Sequence, residues 1–138
     1  MLTDAQRNEY AAKGYTWPIP VLSADEAAHY RERFEAYERR HGGWYELSKG
    51  QKLYLLQTWV AELVADKRVI ESVADVLGED VFCWGTSLFV KEAQSTSYVS
   101  WHQDSTYWGL SSADVVTAWI ALSPATLESG CMKIVPGG

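Results

Sequence analysis

Apolar positions recur every three or four residues in the first part of the chain and gather into short continuous runs in the last part. Thr3-Asp4 is placed to cap a first helix that runs to Lys13 and stops at Gly14. Tyr15 to Val21 reads as extended, held open by Pro18 and Pro20. Ser23 and Glu26 form a capping box ahead of a second helix with Ala27, Tyr30, Phe34 and Tyr37 on one apolar stripe. That helix is expected to end near His41-Gly42-Gly43. A further helical region is predicted over Lys52 to Leu77, with a break near Asp66 and a stop at Gly78.

After Gly78 the pattern changes. Val81 to Val90, Tyr98 to Trp101, Asp114 to Leu122 and Cys131 to Val135 read as strands, with turns at Ser123-Pro124 and Glu128-Ser129-Gly130. Helices first and strands after them predict an α+β fold: one domain over 1–138, with a mainly helical part (1–78) and a strand part (79–138). Strands are still arriving where the sequence stops, which would leave an unpaired apolar edge and leads to the expectation that the chain is a truncated piece of a longer one.

The net charge is −6, with acids and bases interspersed. No basic stripe suits nucleic acid and no cationic amphipathic face suits a membrane, and the oligomeric state is open. Met1 to Gln6 lacks the basic start and apolar run of a secretory signal. Cys83 and Cys131 lack a C-x-x-C spacing and stand in apolar contexts, which favours buried, reduced thiols over a disulfide. A cytoplasmic setting is the expectation. The seven tryptophans and eight tyrosines belong mostly to a core, although such residues also line pockets for organic ligands.

The chemistry gathers at Trp101-His102-Gln103-Asp104. In an extended backbone residues two apart point the same way, so His102 and Asp104 share a side. An imidazole and a carboxylate so placed are two of the three ligands of the facial triad that binds non-haem Fe(II). On spacing alone, an ordinary hydrogen-bonded polar pair at a strand end is the better account of them. Gln103 would point away and support the ligands from behind. Tyr107 and Trp108 follow in an aromatic loop, where they face a substrate or pack on a rim. No histidine follows His102 and no arginine follows Arg68, while His29 and His41 lie on or beside the early helices and read as surface residues.

Several segments in order carry a family resemblance. They are Gln6…Tyr10…Gly14-Tyr15 with Val21-Leu22-Ser23…Glu26, then His102-Gln103-Asp104, then Asp114 to Leu122 with its Trp119, and finally Glu128-Ser129-Gly130-Cys131 to Pro136-Gly137. From Leu2 to Pro136 the chain resembles the phytanoyl-CoA dioxygenase family of Fe(II)/2-oxoglutarate oxygenases. The resemblance implies a double-stranded β-helix, a cupin-like jelly roll with amino-terminal helices, whose barrel is incomplete in these residues. It implies Fe(II), 2-oxoglutarate and O2, with hydroxylation of a C–H bond and release of succinate and CO2. His102 and Asp104 would be iron ligands. Trp119 matches a tryptophan beside the co-substrate, or else is a core indole. Lys52 corresponds to a lysine near the co-substrate, although an exposed helix lysine explains it better. Halogenating relatives replace the acid with a small residue, so Asp104 favours hydroxylation. The family's second histidine and its 2-oxoglutarate arginine lie downstream of the Pro-Gly turn, so these 138 residues alone are expected to be inactive. The competing expectation is a non-catalytic half-barrel that serves as a binding or oligomerisation module.

Overall fold

The computed structural model describes residues 1–43, 52–112 and 114–137. Trp44 and Tyr45 of the expected aromatic core lie outside them. The helical part follows its local signals. Helix α1 spans Asp4–Lys13 and α2 spans Ala24–His41. Both start in complete capping boxes, with Thr3 and Gln6 closing one and Ser23 and Glu26 the other. Both stop at a left-handed glycine, Gly14 at φ 81° and Gly42 at φ 79°, a conformation that costs a residue with a Cβ. Between them the Trp17–Pro18 peptide is cis.

The third predicted helical region divides into three pieces. A 3₁₀ turn covers Leu53–Leu55, α3 covers Thr58–Val64 and α4 covers Lys67–Leu77. The break falls at Asp66, whose side chain accepts from the Arg68 N–H and caps α4. Lys52 stands ahead of the 3₁₀ turn, in an isolated parallel bridge with Thr86, and not on a helix.

The core is small and lies between these helices. Phe34, Leu53, Trp59 and Val60 form its buried centre, and Tyr30, Tyr37, Tyr54, Val64, Leu88 and Val90 pack around them. Tyr30, Phe34 and Tyr37 come from the stripe that the spacing on α2 predicts. Charged contacts bind the helices together. Arg68 donates to both Glu26 on α2 and Asp66, while Arg7 on α1 reaches the Leu2 carbonyl and Asp75 on α4.

The strand part departs from expectation. Among the described residues no strand ladder forms; the four segments read as strands do not pair, and one isolated parallel bridge joins Thr86 to Lys52. Half-buried and exposed residues alternate in two stretches of residues 81–90, with a slip in phase at Gly85. Val81, Cys83, Leu88 and Val90 are half-buried, whereas Phe82, Trp84 and Phe89 are exposed. Tyr54 Oη holds this segment by donating to the Cys83 carbonyl at 3.1 Å. The reason for the difference is physical. A helix satisfies its backbone within itself, whereas a strand exists only beside a hydrogen-bonding neighbour. Many large apolar side chains beyond residue 81 are consequently uncovered, among them Tyr98, Val99, Trp101 and Leu127. Both cysteines are free and half-buried, less enclosed than expected. Burial pushes the Cys83 thiol up from its ordinary range. No helix among the described residues is long and apolar enough to cross a membrane.

Candidate metal centre

His102 and Asp104 lie where an extended run turns into the short helix α5, Ser105–Trp108. Asp104 already has helical dihedrals, φ −56° and ψ −43°, so the two side chains meet across a turn and not along a regular strand. The turn closes through N–H groups of Thr106 and Tyr107 that donate to the carbonyls of Gln103 and Asp104. His102 Nε2 and Asp104 Oδ1 are 3.0 Å apart, and both side chains are partly open to solvent.

The other ring nitrogen is fixed too. Nδ1 lies 2.7 Å from the Ser100 carbonyl, an acceptor, so Nδ1 carries a proton. With Nδ1–H committed to Ser100, Nε2 either shares a second proton with Asp104 or presents its lone pair to an ion. The Ser100 carbonyl does most to raise the His102 imidazole above its ordinary range; desolvation opposes it, and the Asp104 carboxylate adds to the rise. A ring N–H bound to a backbone carbonyl is the usual support behind a metal-ligating histidine. The residue two before the histidine supplies such support through its backbone, where side-chain identity gives no signal.

The pair suits one edge of an octahedral ion. Donors on adjacent positions, with bonds of about 2.1 Å, stand about 3 Å apart, the separation found here. Imidazole nitrogen and carboxylate oxygen are the donor types that non-haem iron takes. Among the described residues no group of three or more His, Cys, Asp or Glu side chains could hold a metal, so the chain presents two donors together.

The remaining expected site residues distribute unevenly. The Tyr107 ring stands edge-on to His102, with centroids 6.0 Å apart, and is 75% exposed. Half-buried Trp108 lines an open cleft of about 210 Å³ with Ser105, Leu110 and Val115, one turn from Asp104. Trp119 is 44% exposed and makes no hydrogen bond to the pair among the described residues. Lys52 lies in a separate place, its Nζ 5.2 Å from the centre of the exposed Trp84 ring. That contact escaped the sequence reading, because nothing local links residues so far apart.

Comparison with known proteins agrees with the family resemblance. Residues 10–138 match the family model described as phytanoyl-CoA dioxygenase (PhyH). The chain is 29% identical over 122 residues to the ectoine dioxygenase of Streptomyces avermitilis, covering 86% of this chain and 38% of that one. The ectoine dioxygenase of Streptomyces coelicolor is 28% identical over the same shares. A probable alpha-ketoglutarate-dependent hypophosphite dioxygenase of Stutzerimonas stutzeri is 26% identical, over 96% of this chain and 52% of that one. The chain thus spans between about two-fifths and half of the length of these relatives. No solved structure matches it with significance. The family is one of cupin-like jelly rolls and its relatives here are dioxygenases, so this chain belongs to the phytanoyl-CoA dioxygenase family.

Proposed function

We propose that this chain carries the first two iron ligands, His102 and Asp104, of an Fe(II)/2-oxoglutarate-dependent dioxygenase that hydroxylates a C–H bond of a small organic substrate. The observation that carries the reading is the 3.0 Å approach of Nε2 to Oδ1, with Nδ1–H anchored on Ser100. When bound, Fe(II) supplies the site at which O2 oxidises 2-oxoglutarate to succinate and CO2 and the substrate is hydroxylated. The chain's own residues prepare that site. Ser100 fixes the imidazole tautomer so that Nε2 faces outward, and the turn into α5 brings the Asp104 carboxylate beside it. The proton that Nε2 shares with Asp104 leaves when a metal takes its place. Tyr107 stands against the free edge of the imidazole, positioned to shield it and to meet a substrate. The intact carboxylate at Asp104 favours hydroxylation over halogenation.

Two donors hold a divalent ion weakly. We therefore expect these 138 residues alone to form no hydroxylated product, the third ligand and the 2-oxoglutarate cation coming from outside them. The relatives' printed names make ectoine the first substrate to try. The test is Fe(II)- and 2-oxoglutarate-dependent product formation by the protein as its source produces it, set beside the same assay on these residues alone. Product from the 138 residues would sink the expectation of inactivity.

A second reading is supported by one observation, the run of exposed apolar side chains from Phe82 to Val135. A half-barrel with such a face would serve as a binding or oligomerisation module. A module of that kind is indifferent to Asp104→Ala, whereas the oxygenase loses turnover.

A further inference from the structure

Helix α1 has no apolar face pressed on the core: none of its ten side chains is buried. What sustains it locally is a capping box at its start and the pairing of Asp4 with Arg7 and of Glu9 with Lys13 along its surface. A helix so polar on every side is found where it bridges two parts of a structure or where such pairs support it. On α1 the pairs run along the helix, and the contacts to distant residues gather at its two ends.

At the start, Leu2 is 4% exposed, as enclosed as Val60 in the core. Its N–H donates to Asp75 Oδ2 on α4, and its carbonyl accepts from Arg7 Nη1 at 2.7 Å. Both backbone groups of the enclosed residue are thus satisfied, as burying it requires. Arg7 also stands 3.8 Å from Asp75 Oδ1, which closes the contact between the two helices. At the far end, the Lys13 carbonyl is one of the last four of the helix, which have no partner within it. It accepts from the Gly137 N–H at 2.8 Å. Gly137 lies at φ 71° in the turn that follows the 131–135 run.

We propose that α1 is a strut, fastened to α4 at Leu2 and to the Pro136-Gly137 turn at Lys13, so that the anchoring of Leu2 sets how firmly that turn is held. Ten helical residues rise about 15 Å, which puts the two fastenings beyond direct contact and makes the helix the link between them. The helical part thereby controls the order of a turn more than a hundred residues along the chain from Leu2. Nothing in this proposal depends on the His102–Asp104 pair.

The test is amide hydrogen exchange on the ¹⁵N-labelled protein, comparing the parent with Leu2→Ser and with Asp75→Ala. The first variant removes the enclosed side chain; the second removes only the acceptor on α4 and leaves the core untouched. The proposal expects a protected Gly137 amide in the parent and exchange at least about tenfold faster in both variants, because opening at one end of the strut releases the other. The Phe34 amide, in the middle of α2, should keep its parent rate in both. A Gly137 amide unprotected in the parent, or unchanged in either variant, would overturn the proposal. So would a Phe34 amide accelerated as much as Gly137, since α1 would then be part of the core and not a link to the turn.

Discussion

Arg68 holds Glu26 through both terminal guanidinium nitrogens, at 2.9 and 3.2 Å, and so ties the first turn of α2 to the first turn of α4. The same Glu26 carboxylate closes the capping box by accepting from the Ser23 N–H at 2.7 Å. Arg68 also grips Asp66, the N-cap of α4. One cation thus fixes two helix starts. The last arginine of this sequence is committed to structure, which leaves it no part in clamping a co-substrate.

This arrangement gives the helical part a definite acid response. Arg68 lowers the Glu26 carboxyl from 4.5 to about 2, helped by the Ser23 N–H. A carboxyl whose pKa falls on folding adds stability above its unfolded value and loses that contribution as pH drops through its folded value. The thermal midpoint should therefore be level above pH about 5 and fall between about 4.5 and about 2. Arg68→Gln should flatten that part of the profile, measured by circular dichroism across pH.

Ser23→Ala removes the hydroxyl that accepts from the Glu26 N–H and opens the capping box. A loss of about 1 kcal/mol is expected. Chemical denaturation of the variant, with an unchanged slope, is the check; a change below a few tenths would mean that tertiary contacts alone fix the start of α2.

Phe34→Ala empties the centre of the core between α2, the 3₁₀ turn and α3. The expected cost is about 3–5 kcal/mol, enough to unfold a core of this size. Far-ultraviolet circular dichroism should show lost helix at room temperature, whereas Leu127→Ala, at an exposed position, should leave the spectrum as it was.

The helices were legible because their signals are local. Thr3 with Gln6, Ser23 with Glu26, and Gly14 and Gly42 act on backbone within one turn of themselves, so reading them in order recovers both helices. Asp66 marked its break for the same reason. The strands were legible only as apolar runs between turn residues. Val81 to Val90 alternates in two stretches either side of Gly85 and presses Leu88 and Val90 on the core, yet pairing needs a neighbour that no local pattern supplies. The site divides similarly. The spacing of His102 and Asp104 suggested that they share a side, and they do meet, although a turn and not a strand brings them together. The Ser100 carbonyl and the Lys52–Trp84 contact involve backbone or distant residues and left no mark in composition.

The central claim is that His102 and Asp104 are iron ligands of a 2-oxoglutarate oxygenase. The most direct measurement is succinate formed from 2-oxoglutarate under air with Fe(II), by the protein as its source produces it and by its Asp104→Ala variant. The account predicts iron-dependent succinate from the first and a loss of more than about 100-fold in the second, because removing a ligand should cost more than the 10–100-fold seen for the groups behind one. Equal turnover in the two proteins would contradict it.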